Sequence, residues 1–193
     1  DTAPLKITAT ASANVIDVYY VKDTFAYTVE YYYDGVKDAS KTVNDTAAYQ
    51  AVINSYTDKV IDGYKLDKVE GKPLTISSTP ANNVIRVYYV KDTFEYTVNY
   101  YYDGVKNAEK TETHTATFQD VINSYTDKVI DGYKLDKVEG KPLTISSDKT
   151  KNVINVYYIK DTFAYTVEYY YDGVKDDSKT VTNTATFQAV INS

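Results

Sequence analysis

From Tyr27 to Tyr33 apolar and polar positions alternate. Tyr27, Val29, Tyr31 and Tyr33 fall on one face, and Thr28, Glu30 and Tyr32 on the other. A period of two predicts a half-buried strand. Asp34-Gly35 supplies a turn signal, and a weaker strand is expected near Lys41 to Val43. The period then changes. Tyr49, Val52, Ile53 and Tyr56 stand at i, i+3, i+4 and i+7, the single stripe of an amphipathic helix, with Thr46 at the N-cap position. This helix is expected to end near Lys59, before Gly63. At about three turns it needs a sheet to pack on. Two short strands follow, YKLDKVE from Tyr64 and PLTIS from Pro73. In the last strand, VIRVYYV from Val84, Ile85, Val87 and Tyr89 are expected in the core, while Val84, Tyr88 and Val90 share the outer face with Arg86.

The whole pattern recurs every 69 residues without insertion or deletion: Phe25, Phe94 and Phe163 hold one place, Asp34-Gly35, Asp103-Gly104 and Asp172-Gly173 another. Thr115 and Thr184 repeat the N-cap position of Thr46. The stretch beginning at Val52 returns letter for letter at Val121. Residues 1–22 read as the C-terminal part of a preceding repeat, 23–91 and 92–160 as complete repeats, and 161–193 as the N-terminal part of a following one. A chain that starts and stops inside a repeat is expected to be an excerpt of a longer array. Near-identical units suit length, reach and multivalency better than catalysis, so the chain reads as non-enzymatic.

The order strand, strand, helix, strand, strand, strand predicts an α+β unit: a mixed sheet with one helix per 69-residue repeat, in a β-grasp (ubiquitin-like) layout whose first and last strands are parallel neighbours. An immunoglobulin-like sandwich is the rival, but it has no use for a helix and wants about seven strands.

Composition narrows the rest. With no cysteine there is no disulfide and no thiolate metal site, so a small unit must rely on its core, its sheet and its neighbours. A net charge of −6 argues against nucleic acid. No apolar run is long enough for membrane insertion in this segment. Tyrosine is the outlier at 23 residues, with no tryptophan or methionine. It favours strands and carries an apolar ring with a polar tip.

YTVEYYYDG from Tyr27, GYKLDKVEG from Gly63 and NVIRVYYVKD from Asn83 resemble the MucBP (mucin-binding protein) repeat along nearly the whole chain. That resemblance implies a β-grasp-like fold and a cell-wall-anchored, extracellular adhesin of Gram-positive bacteria, with mucin glycans as ligand. The chain departs from the pattern in a shorter opening turn and in its extra tyrosines.

Little else carries chemistry. The only histidine, His114, is Asp45 and Asn183 in the other copies, as expected of a surface position rather than a base or ligand. Asp23, Asp92 and Asp161 at the junctions read as solvated turn acids before calcium ligands. No spacing singles out the Lys, Asn and carboxylate of an isopeptide crosslink. No cofactor is expected. Tyr32 and Tyr88, with Tyr101 and Tyr157 one repeat on, share the wetter face with Arg86. They are candidates for an aromatic ledge on which sugar rings stack, against the plainer role of reinforcing cross-strand pairing. Between repeats lies only Lys91-Asp92-Thr93-Phe94-Glu95, so Phe25, Phe94 and Phe163 are expected to plug the junctions of a semi-rigid stalk rising about 35–45 Å per repeat at about 3.3 Å per residue. Three functions follow: a multivalent glycan (mucin) binder, a passive stalk, and an array that pairs with copies of itself into a filament.

Overall fold

Alternating tyrosine, valine and isoleucine favour pleated, half-buried backbone. In the computed structural model, which describes residues 4–59, 61–128 and 130–192, that preference dominates. By its contacts the chain divides into two compact units, Asp1–Lys59 with Leu66–Val90, and Val60–Lys65 with Lys91–Ser193.

In the first complete repeat the strands are β1 (Thr24–Tyr33), β2 (Val36–Lys37), β3 (Val43–Ala48), β4 (Val52–Ile53), β5 (Tyr64–Glu70), β6 (Leu74–Thr75) and β7 (Val84–Lys91). They form a five-stranded sheet in the order β2-β1-β7-β5, with β3 also on β1, and a separate β4-β6 pair. The opening and closing strands are parallel neighbours, Thr28 opposite Val84 through Tyr33 opposite Tyr89. The second repeat repeats the plan with β8 (Thr93–Tyr102), β9 (Val105–Thr117), β10 (Val121–Ile122), β11 (Tyr133–Glu139), β12 (Leu143–Thr144) and β13 (Val153–Lys160). Here a single strand, β9, pairs with β8 on both sides of a register shift between Val98 and Tyr100, doing the work of both β2 and β3.

The expected helix is absent, and with it the α+β, β-grasp assignment. Among the described residues the helical elements are five single 3₁₀ turns of three residues each, and the fold is all-β. Thr46 is no N-cap: it lies within β3 opposite Ala26, and the expected strand near Lys41 starts instead at Val43. The reason is local. Between Thr46 and Lys59 only the alanines, Gln50 and Lys59 favour a helix. The rest are β-branched, aromatic or small and polar. Gln50 takes a left-handed φ of 62°, which no α-helix tolerates inside it. Its N–H donates to the Ile76 carbonyl, the Ile76 N–H donates to Ala51, and β4 then pairs with β6.

Tyrosine hydroxyls supply what helical hydrogen bonds would have supplied. Tyr31 donates to the Thr57 carbonyl at 2.5 Å and Tyr33 to the Lys59 carbonyl at 3.1 Å. Tyr89 donates to the Asp58 carboxylate and accepts from the Lys59 N–H. The second repeat keeps the set: Tyr100 to Thr126, Tyr102 to Lys128, and Tyr158 to Asp127 and from Lys128. Burial, then the neighbouring Asp58, pushes the Tyr89 hydroxyl well above the usual phenol range, so it stays a donor. Core tyrosines thus tie an irregular segment to the inner face of the sheet through the backbone of Thr57 and Lys59.

Beneath it lies the core expected from the alternation. Val29, Tyr31, Ile85, Val87 and Tyr89 are buried together with Leu74 and Ile76, and the same positions are buried in the second repeat. Asn83, fully buried, holds the entry to β7: its Oδ1 accepts from the Ser77 N–H and Oγ, and its Nδ2 donates to the carbonyls of Ala26 and Ser77. Asn152 does the same for β13.

The opening strands of the last repeat, β14 (Thr162–Val167), β15 (Tyr170–Tyr171), β16 (Val174–Lys175) and β17 (Val181–Thr186), have no parallel partner among the described residues. Tyr169, counterpart of the fully buried Tyr31 and Tyr100, is 45% exposed. At the other end Val15–Val21 matches the sequence of β7, yet forms no strand and stays exposed.

Replacing Asn152 by Ala removes three hydrogen bonds at a buried site, so Asn152→Ala is expected to lower the stability of its unit by about 2–4 kcal/mol. Urea denaturation measures this, and a loss under about 0.5 kcal/mol, as for an ordinary surface change, contradicts the role.

Candidate functional site

Alternation places Tyr32 and Tyr88 on the outer face of the first sheet, and parallel register sets them directly opposite. Their rings stack at 4.8 Å with 23° between planes, and Tyr101 and Tyr157 stack at 4.7 Å and 17°. The sequence-predicted tyrosines are therefore brought together in each complete repeat. They form a ladder rather than a flat shelf, each ring spending one face on the other. Lys68 covers the far side of Tyr88 at 4.8 Å, and Lys137 covers Tyr157 at the same distance. Lys37, opposite Tyr32, and Lys106, opposite Tyr101, close the other end. A lysine–tyrosine–tyrosine–lysine row thus crosses the sheet. It serves cross-strand pairing first: the hydroxyls of Tyr32, Tyr88 and Tyr157 donate to Glu30, Glu70 and Glu139, and ring edges are what it leaves for a ligand.

The neighbouring row holds Arg86. Its guanidinium meets Glu30 at 3.3 Å, while Glu30 also takes the Lys37 ammonium at 2.5 Å and the Tyr32 hydroxyl at 2.8 Å. The second repeat replaces the charge pair by an amide pair, Asn99 Nδ2 donating to Asn155 Oδ1 at 2.9 Å. Exchanges that read as marks of a wet face are paired substitutions across two parallel strands, Glu30 with Arg86 and Asn99 with Asn155. The position is covered rather than open, Asn99 being 7% exposed, and its Oδ1 has no partner.

A second concavity, of about 280 Å³, opens in the first repeat among Tyr27, Tyr31, Asp45, Ser55, Tyr56 and Thr57. In the second repeat the counterparts of Val43, Asp45 and Lys59 are Glu112, His114 and Lys128, which form an ion cluster there. The tyrosine ladder is common to both complete repeats, whereas residues at this place differ between them. His114 is exposed, its ring 5.2 Å from that of Tyr96.

At the repeat junctions the aromatic on the neighbouring turn is a different residue from the one expected. Within the second unit, the ring of Phe118 lies against Gly63, which adopts φ +82° in the turn before β5, and meets Tyr64 edge-on at 6.1 Å. Phe94 stands behind Phe118, edge-to-face at 6.1 Å, and so supports the contact. Around it the Asp92 N–H donates to the Gly63 carbonyl, Lys65 pairs with the Asp92 carboxylate at 3.0 Å, and Ser147 Oγ donates to Asp62 at 2.7 Å. The next junction repeats this: Phe187 lies on Gly132 (φ +80°) with Phe163 behind it, the Asp161 N–H donates to Gly132, and Lys134 pairs with Asp161 at 3.0 Å. Phe25 in the first repeat is backed by Tyr49, at 6.0 Å, in place of a phenylalanine. In the sequence, the coincidence of an invariant Asp-Gly-Tyr-Lys with an aromatic at 49, 118 and 187 was the available signal. The helix assignment hid it by making that aromatic part of the core stripe.

No known protein-family profile matches the chain, and no curated protein matches it. Among solved structures the chain is similar to the "Crystal structure of Mub-RV" at 13% identity and a TM-score of 0.24, over 70% of this chain and 98% of that one.

Lys37, followed by Tyr32 and Arg86, holds the Glu30 carboxyl below its ordinary 4.5, against the opposing effect of burial. A carboxylate depressed on folding stabilises above its unfolded value, and the gain disappears as pH falls through the folded value. Glu30→Gln is therefore expected to cost on the order of 1 kcal/mol at neutral pH and progressively less as acid protonates Glu30, by urea denaturation across that range. A cost independent of pH contradicts the ion pair.

Proposed function

We propose that this chain is a non-enzymatic stretch of a bacterial cell-surface adhesin, in which repeats serve as coupled spacers and offer weak, multivalent contact to host glycans such as those of mucin. The observation that carries the reading is the docked glycine turn. Gly63 on Phe118 and Gly132 on Phe187 use the same ring contact, the same backbone hydrogen bond and the same Lys–Asp pair. A passing contact would not be rebuilt residue for residue. Single-residue connections, Asp92 between β7 and β8 and Asp161 between β13 and β14, give such docking a high effective concentration. The MucBP-like motifs at Tyr27, Gly63 and Asn83 point to the extracellular, wall-anchored setting.

Glycan contact is the second layer of the proposal. The ladder recurs in each complete repeat, so a weak contact multiplies along an array. Its flanking lysines supply polar groups beside the aromatic edges.

Coupling is tested with two glycines of one unit. Gly132 and Gly104 share φ +80°, but a Cβ at Gly132 would strike Phe187 whereas one at Gly104 meets nothing within 4 Å. Both alanine variants carry the backbone strain, of order 1 kcal/mol. Gly132→Ala is expected to lose a further 1–2 kcal/mol or so and to release Phe187 amide protection in hydrogen exchange. Equal losses would mean the docked turn couples nothing. For the glycan layer, wild type should bind immobilised mucin, and Tyr101→Ala with Tyr157→Ala should abolish that binding. Absence of wild-type binding leaves the array a spacer alone.

A further inference from the structure

The first complete repeat carries the same aromatic platform as the others, and it stands open. Tyr49 occupies the place of Phe118 and Phe187. Its N–H donates to the Asp23 carbonyl at 2.7 Å, as Phe118 and Phe187 donate to Asp92 and Asp161 at 2.8 Å. The ring pair is superimposable in kind: Phe25 and Tyr49 stand at 6.0 Å and 68°, Phe94 and Phe118 at 6.1 Å and 68°, Phe163 and Phe187 at 6.2 Å and 62°. Where the other two platforms hold a glycine turn, this one leaves a groove of about 300 Å³ lined by Val21, Lys22, Asp23, Phe25, Tyr49 and Ser78.

We infer that this groove is a preformed socket for an Asp-Gly-Tyr-Lys turn presented by another repeat of the same kind. Each feature of the occupied junctions has its counterpart waiting. The Tyr49 ring, 39% exposed, offers the flat surface on which a glycine Cα sits, and which any Cβ would strike. The Asp23 N–H corresponds to the groups that donate to Gly63 and Gly132. Among the described residues no lysine pairs with the Asp23 carboxylate, whereas Asp92 and Asp161 each hold one. Ser78 corresponds to Ser147, whose hydroxyl donates to Asp62 of the docked turn. Because the platform keeps its geometry without an occupant, docking needs no rearrangement on the socket side, and the ordering cost falls on the turn alone. Specificity follows from chemistry: the glycine is required by contact and by φ, the lysine by Asp23, and the aspartate by Ser78. The socket lies apart from the tyrosine ladder, so it is independent of glycan contact.

The probe is a peptide of the sequence of residues 60–67, closed into a ring by added terminal cysteines so that the turn is preformed, titrated into the 193-residue chain and followed by amide NMR. Saturable, millimolar binding is expected, with shifts at Asp23, Phe25, Tyr49 and Ser78. A Gly63→Ala peptide should bind at least tenfold more weakly, and a Lys65→Glu peptide several-fold more weakly. On the protein side, Ser78→Ala should weaken the wild-type peptide several-fold while leaving the remaining spectrum unchanged. No saturable shift at these residues overturns the inference. So does equal binding of the alanine peptide, or shifts centred on the tyrosine ladder instead.

Discussion

The structure depends on one long-range constraint, the parallel pairing of a repeat's first strand with its last. β1 has β2 and β3 on one side and β7 on the other, so β7 closes the sheet over the core. The chain holds its own control. Residues 162–171 have the sequence of an opening strand but no closing one among the described residues. The strand breaks at Glu168–Tyr169, and a tyrosine that is fully buried in both complete repeats becomes 45% exposed. Val15–Val21 matches the sequence of β7, has no opening strand beside it among the described residues, and is not in strand conformation. Intrinsic preference for extended backbone is the same in all these segments. What differs is the partner, which decides whether the preference is realised. Asn83 and Asn152 pin the end of this pairing from within, each holding its own loop and the opening strand at once.

Closure also explains the tyrosines. A sheet needs something over its inner face, and a helix would bring its own hydrogen bonds. Here the cover is an irregular segment whose carbonyls and amides must find partners elsewhere. Phenylalanine at 31, 33 and 89 would fill the same volume and leave Thr57, Lys59 and Asp58 unmatched. Tyrosine reaches through the core with its ring and ties the cover down with its hydroxyl. On the outer face the same residue type works half-buried, as stacked pairs across the parallel strands. One residue thus serves two faces by different physics, which accounts for its abundance.

This division shows which features were legible in the sequence. The period of 69, the faces of β1 and β7, and their parallel adjacency could all be read, because alternation is local and strand order has few solutions. Tyr32 beside Tyr88 followed from that adjacency. The helix did not, although Tyr49, Val52, Ile53 and Tyr56 keep helical spacing. Spacing records which residues are apolar and says nothing of backbone satisfaction. The poor formers between them, and a left-handed Gln50, override it. The pairing of Glu30 with Arg86 was likewise hidden. Single positions varied between copies as if solvated, and only register shows that they vary together. The docked turn escaped for a related reason. Phe118 was assigned to a helix stripe, so its partnership with a glycine from the preceding copy had no place to appear.

That partnership gives the exact repetition of the chain a physical reason. A turn that docks onto the next copy needs its glycine, its lysine and its aspartate in every copy. The platform needs its aromatic pair, its aspartate and its serine likewise. Each repeat is donor at one place and acceptor at another, so a substitution at either place is felt by its neighbour. Asn83 and the inner tyrosines face only their own repeat, and their constancy reflects folding alone. The outer row faces neither core nor junction, and there the copies exchange one matched pair, Glu30 with Arg86 for Asn99 with Asn155. Constancy and variation therefore sort by what each position touches. The positions that touch another copy are constant in chemistry, the exchange of phenylalanine for tyrosine at residue 49 keeping the ring that the turn requires.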